Sequence, residues 1–267
     1  MQRISLTIEY DGTNFAGWQM QQGRRTIQAE LEQALSVIAN QPIQVMASGR
    51  TDAGVHALQQ VLHFDTNIDR SEYSWVVGTN RYLPAEIRVL SAQIMPSDFH
   101  ARYSALARWY RYLILNRAMN SALYGRLNTW HSIALNAEKM AEAAQFLNGH
   151  HDFSAFRAQG CQSKTPYRQL YFIEVQAQAE QIVIDICANA FLHHMVRNIV
   201  GSLMAVGEGK QPANWIQQVL LSKDRTQAGI TAPPQGLYLA GIYYPEKYQL
   251  TSAPIFQRLP KTISRFD

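Results

Sequence analysis

The run Gly49-Arg50-Thr51-Asp52-Ala53-Gly54-Val55-His56 sets an arginine, a hydroxyl and a carboxylate between two glycines. It lies between two segments of strand character. Glycine takes backbone angles closed to other residues, so such a loop can hold one side chain firmly at a sheet edge. Asp52 is then a candidate nucleophile or base, and Arg50 a candidate contact to a phosphate or a base. The same residues also suit a tight turn in which Asp52 accepts backbone hydrogen bonds.

Two further constellations carry chemistry. In Arg108-Trp109-Tyr110-Arg111-Tyr112, strand geometry puts Arg108, Tyr110 and Tyr112 on one face. Aromatics beside arginines serve base stacking and phosphate binding, and they serve cross-strand packing equally well. In Phe191-Leu192-His193-His194-Met195-Val196-Arg197-Asn198, helical geometry turns Arg197 off the apolar stripe, where it can pair with a carboxylate in a cleft or face solvent. Lys223 and Arg225 lie near another inferred helix end.

Metal and phosphate-loop motifs are missing from the sequence. His150-His151 and His193-His194 are adjacent pairs, and adjacent residues on regular elements point apart. No HExxH or Cys/His cluster occurs, and Gly207-Glu208-Gly209-Lys210 lacks the Ser/Thr of a P-loop. Three readings stay open on these residues alone. They are a cofactor-free enzyme acting on a polynucleotide through Asp52, a nucleic-acid-binding module with stacking aromatics, and a hydrolase pairing Asp52 with His56 or His193.

The elements that must position these residues are legible in the periodicity. Ile4, Leu6, Ile8 and Tyr10 alternate with polar residues, which predicts a strand over 3–10. Thr26 caps a predicted helix with the stripe Ile27, Leu31, Leu35 and Ile38. Strands are expected at 43–47, 55–64 and 87–94, with a short helix at 71–77. The second half predicts strands at 105–115, 170–178, 181–188 and 237–244. Its helices are expected at 136–147 and 214–221, with the strongest stripe running from Leu192 to Val206. Gln249 to Asp267 reads as a polar tail. The pattern implies an α+β fold of two α/β-sandwich halves, ferredoxin-like or RRM-like, forming a mixed, largely antiparallel sheet with helices packed on it. The boundary falls near residue 100, giving an N-terminal half over 1–100 and a C-terminal half over 101–245.

Composition bounds the class. The chain has 267 residues, 47% hydrophobic and 16% charged, with a net charge of +4. Of its 24 basic residues, 18 are arginine, the side chain whose planar fork suits phosphate and carboxylate. Cys161 and Cys187 form no disulfide framework and no zinc spacing. The opening MQRISLTIEYDG has charges where a signal peptide needs an apolar stretch. The long uncharged run from Thr226 to Pro245 is broken by prolines and glycines and is no membrane span. A cytoplasmic protein without a membrane partner is the expectation.

Taken together, these segments resemble the TruA-type tRNA pseudouridine synthases over nearly the whole chain to about residue 245. YDGTNFAGWQMQQGRRTIQAELEQAL is similar to the family's opening, and GRTDAGVHA to its catalytic loop. FHARYSALARWYRY, DFSAFRAQGC followed by TPYR, FLHHMVRNIVGSL and GLYL complete the series. One departure is Gln59-Gln60, where the family commonly has Gly-Gln; it bears on the backbone geometry after the loop. The resemblance implies isomerisation of uridine to pseudouridine at positions 38, 39 and 40 in the anticodon stem-loop of tRNA, with no cofactor and no metal. It places Asp52 as the nucleophile, with Arg197 as the partner keeping it charged. Tyr110 stacks on the uracil or accepts the C5 proton, directly or through water, Arg50 engages phosphate or fills the stack, and Leu237 forms an apolar wall. It further implies a homodimer with tRNA as partner. A non-catalytic tRNA-binding protein on the same scaffold is the competing reading.

Overall fold

The computed structural model describes residues 1–250 together with 256, 257 and 259, so most of the expected tail lies outside the described residues. In chain order the elements are β1 (Gln2–Tyr10), α1 (Ile27–Ala39), β2 (Met46–Ala47), β3 (His56–Thr66), α2 (Glu72–Tyr82), β4 (Ile87–Met95) and β5 (Ala107–Asn116). There follow β6 (Thr129–His131), α3 (Ala137–Ala144), β7 (Gly149–Asp152), β8 (Tyr167–Gln178), β9 (Gln181–Ala188), α4 (Met195–Gly207), α5 (Trp215–Ser222) and β10 (Leu237–Tyr243). The architecture is mixed α+β with mainly antiparallel pairing.

The chain divides into two compact units, Met1–Leu106 joined by the chain from Tyr238, and Ala107–Leu237. The division falls six residues beyond the expected one, and the last strand belongs with the first unit rather than the second. The reason is parallel pairing of β10 with β3, Tyr238 opposite His56 and Leu239 opposite Ala57.

In the first unit β1 is central, antiparallel to β3 and to β4. Its alternating Ile4, Leu6, Ile8 and Tyr10 are buried, as the period-two pattern requires. Thr26 caps α1 by accepting from the Ala29 N–H, and Ile27, Leu31 and Leu35 are fully buried. Ser71 caps α2, which runs five residues past the expected end and stops where Leu83 turns extended before Pro84. Trp75 on α2 meets Phe64 edge-on at 5.1 Å. The strand expected over 43–47 shrinks to β2. The Ile43 N–H donates to Ser36 Oγ and the Val45 N–H to Glu32 Oε1, so side chains replace the ladder.

In β1 and β3, the residues that do not face the helices carry an ion pair. Arg3 grips Asp65 through Nε and Nη2, both at 2.7 Å, and its Nη1 donates to the carbonyls of Ser97 and Phe99. The guanidinium holds the Asp65 carboxyl below its usual range. Beside it, His63 Nδ1 accepts from the Ala101 N–H, and its ring meets Phe99 and His100 edge-on.

In the second unit the strand order is β5-β9-β8-β7, antiparallel throughout, with β6 parallel on β5. β8 and β9 join through Ala179-Glu180 as expected, with Ala179 left-handed at φ 52°. The short strands β6 and β7 lacked a periodic signal. β7 contains a glycine and two histidines, and exists because it pairs with β8 from Gly149 to Asp152. Asn136 caps α3 through the Lys139 N–H, and a 3-10 turn over Gln145–Leu147 completes the expected length. α4 starts three residues after Leu192, because His194 is left-handed at φ 57° and cannot continue a helix backwards.

Burial first, then the nearby Arg3 and His100, push the His63 imidazole down to about 4. A base depressed below its unfolded value contributes stability above pH 6.5 that is lost as pH falls toward 4. In chemical denaturation, His63→Asn, whose Oδ1 can accept from Ala101, is expected to flatten the stability slope over that window. An unchanged slope would show that His63 does not set it.

Candidate active site

The loop between β2 and β3 is gripped backbone to backbone by the segment after β1. A Cβ on Gly12 would lie 2.0 Å from the Val55 carbonyl oxygen. One on Gly17, at φ +93°, would lie 2.7 Å from the Thr51 oxygen and 3.1 Å from the Ala53 nitrogen. Only glycine admits such contact, so YDG and AGW are shaped to fit GRTDAGV. Hydrogen bonds complete the clasp. The Trp18 N–H donates to the Thr51 carbonyl at 3.0 Å, and the hydroxyls of Tyr10 and Thr51 meet at 2.8 Å. The Val55 N–H donates to the Asp52 carbonyl at 3.1 Å, closing the turn.

Within this frame Asp52 is half-buried and Arg50 exposed. His56 points inward, 1% exposed, its ring stacked on Tyr238 at 4.7 Å. Its Nδ1 accepts from the Gly12 N–H at 3.1 Å. Asp11 Oδ1 lies equally close, but the Gly12 donor requires a lone pair on Nδ1, so a neutral ring is the better description. A buried, packed imidazole is a peg under the loop rather than a general base.

The other anchor is Gln60, fully buried on β3. Its Oε1 accepts from the Ser48 hydroxyl and the Val61 N–H, and its Nε2 donates to the Gly49 carbonyl at 2.8 Å. One amide thus ties down the residues leading into the loop. Sequence reasoning missed Gln60, although a glutamine in an apolar strand was the available signal. The neighbouring Gln59 sits at a bulge, where three steps on β3 oppose two on β1. Among the described residues it is not one with positive φ, so the bulge needs no glycine.

The remaining candidates lie in the second unit. Tyr110 on β5 is half-buried and meets Phe191 edge-on at 5.0 Å. Tyr112 is fully buried and its hydroxyl is bonded to Thr129 and to the Pro233 carbonyl, so it is structural. Burial raises its phenol well above the usual range. Arg108 donates to the Asn189 carbonyl at 2.9 Å. On the opposite face of β5, Arg111 and Trp109 both bond Asp185.

Arg197, half-buried in the first turn of α4, donates through Nε to the Ala232 carbonyl at 2.8 Å. Leu237, 5% exposed, opens β10 just after Gly236, which packs against the Leu113 carbonyl. The structure thus ties Arg197 to the segment that leads to Leu237. Arg225 is engaged internally by Asn198 and Thr231, whereas Lys223 is exposed with its Nζ 3.7 Å from Asp152 Oδ2. The rings of His193 and His194 lie 4.0 Å apart, against the expectation that they diverge. His194 is left-handed and outside regular structure, which removes the geometric ground for divergence.

Replacing Gln60 by Leu leaves the Ser48 hydroxyl and Gly49 carbonyl without their amide. The expected loss is about 1–3 kcal/mol of stability, read as a lower denaturation midpoint at constant slope.

A family model described as tRNA pseudouridine synthase matches residues 6–104 and 143–245. The chain is 53% identical over 264 residues to the tRNA pseudouridine synthase A of Methylococcus capsulatus, covering 99% of this chain and 97% of that one. It is 55% identical over 248 residues to the enzyme of the same name from Nitrosococcus oceani, covering 93% and 96%. With that of Coxiella burnetii (strain Dugway) it shares 49% over 255 residues, covering 96% and 98%.

Proposed function

The chain belongs to the tRNA pseudouridine synthase family, a family of isomerases, and from that footing we propose that it converts uridines 38, 39 and 40 of the tRNA anticodon stem-loop, with Asp52 as nucleophile. The reaction breaks the N1–C1′ bond, turns the base and joins C5 to C1′. The proton lost from C5 is balanced by one gained at N1.

Asp52 carries this reading. Its loop is gripped on the backbone by Gly12 and Gly17 and pegged below by His56 and Gln60. A carboxylate presented on so rigid a support suits attack on an electron-poor sugar carbon or on the uracil ring. A protein that only bound RNA would gain nothing from a negative charge near phosphates, which argues against the silent alternative.

The other residues take roles by their chemistry. Tyr110, edge-packed on Phe191, is the stacking surface for the uracil, since a phenol is a poor base near neutral pH. Arg197 supplies positive charge that favours an ionised carboxylate during reaction. Arg50, exposed on the loop, engages backbone phosphate or fills the stack when the target is turned out. Leu237 supports the base from its apolar side. Recognition of several adjacent targets suits reading by shape and phosphate rather than by base sequence. A cytoplasmic homodimer is part of the same proposal. Among the described residues no helix is long and apolar enough to cross a membrane.

Two experiments test it. With uridine-containing tRNA transcripts and tritium at C5, Asp52→Asn is expected to keep tRNA binding and lose tritium release and pseudouridine at 38–40; retained turnover would eliminate Asp52 as nucleophile. Arg197→Ala is expected to lower kcat about 100-fold while changing tRNA affinity far less. An equal loss in both would recast Arg197 as a phosphate contact.

A further inference from the structure

Residues 229–232 lie along α4 as a strap, without helical or strand structure of their own. The Gly229 N–H donates to Ser202 Oγ at 2.9 Å. The Thr231 hydroxyl donates to Asn198 Oδ1 at 2.6 Å. The Ala232 N–H donates to the Arg197 carbonyl at 3.0 Å, and the Ala232 carbonyl receives Arg197 Nε at 2.8 Å. The strap lies closer than any side chain permits: a Cβ on Gly201 would sit 1.7 Å from the Ile230 oxygen.

Asn198 is the centre of this docking. It is fully buried. Its Nδ2 donates to the Phe156 carbonyl at 2.8 Å, and its Oδ1 receives both the Thr231 hydroxyl and Arg225 Nη2, the latter at 3.0 Å. Arg225 also donates to Thr231 Oγ1 at 2.9 Å, closing a three-membered ring of bonds. A buried amide matched at three of its four hydrogen-bonding positions holds its partners in one arrangement. Beyond the strap, the Pro233 carbonyl receives the Tyr112 hydroxyl at 2.8 Å, so the strap is fixed at both ends.

We infer that Asn198 is a positioning residue for the reaction: it docks the strap, and the strap's Ala232 carbonyl fixes the Nε edge of Arg197 and so aims the guanidinium. The guanidinium is planar, so fixing Nε sets the direction of its terminal nitrogens. Asn198 acts through Thr231 and Ala232. The inference rests on the proposed role of Arg197 toward the reacting uridine.

The test uses the full chain, a tRNA transcript, single-turnover kinetics and filter binding. Asn198→Ala opens a buried hole, so Thr231→Val cuts the same bond from the strap's side, and Thr231→Ser restores the hydroxyl. Gly201→Ala lifts the strap while favouring the helix it sits in. A displacement near 1 Å can cost about 100-fold in rate, so Gly201→Ala is expected to lower kcat by about that factor and Thr231→Val by about tenfold. Thr231→Ser is expected to stay within about twofold of the parent, with tRNA affinity within about twofold for all three. The inference is overturned if Thr231→Val and Gly201→Ala keep their kcat while Arg197→Ala loses it. It is also overturned if kcat and affinity fall together with a lowered melting temperature, the mark of a merely structural strap. If Arg197→Ala itself keeps kcat, the role of Arg197 fails first, separately from the docking by Asn198.

Discussion

Contact between bare backbones is the constraint on which the proposed catalytic apparatus depends. At Gly12 and Gly17 two stretches of chain meet with no side chain between them, and the Asp52 loop is held by that contact. At Gly201 the same device brings the strap onto α4 beside Arg197. Side-chain packing leaves rotamers to choose from, whereas backbone against backbone leaves almost none. The residues proposed to act on the uridine are therefore set by parts of the chain that carry no reactive group.

The arginine excess divides along similar lines. Part of it is intramolecular. Arg3 and Arg111 hold carboxylates through two nitrogens each, and Arg25 pairs with Glu30 and Glu86. Arg157 and Arg168 bind the carbonyls and hydroxyl of residues 161–167, and Arg168 is 7% exposed. Burial lowers the Arg168 pKa, yet the side chain remains a cation whose charge is solvated by peptide oxygens. Arg50 and Arg102 are exposed, Arg102 lying over the Tyr103 ring at 5.6 Å. A count of basic residues thus overstates the charge available to RNA.

Much of this was legible in the sequence where one local rule sufficed. Alternation in β1, the Thr26 cap and stripe of α1, and the Ala179-Glu180 hairpin need only near neighbours to be read. The glycines flanking Asp52 announced a constrained loop, though not that its constraint came from Gly12 and Gly17. What escaped depends on distant partners. β7 forms because β8 lies beside it, and α4 starts late because His194 turns left-handed. Gln60 and Asn198 looked like unremarkable polar residues, because their roles lie in carbonyls and hydroxyls that only the folded chain brings near. Arg225 looked like a surface cation for the same reason.

The parallel pairing of β10 with β3 has a bearing on how the chain is made. One edge of β3 is shared by β2, opposite Leu62 and His63, and by β10, opposite His56 and Ala57. The second unit is contiguous and can close as soon as it is made, whereas the first waits for a segment that follows the whole second unit. Until then the stretch of β3 beside the Asp52 loop presents unpaired amides and carbonyls, the kind of margin that recruits chaperones or stray strands. The support beneath the loop that carries Asp52 is thus completed by a strand that follows the whole second unit in the chain.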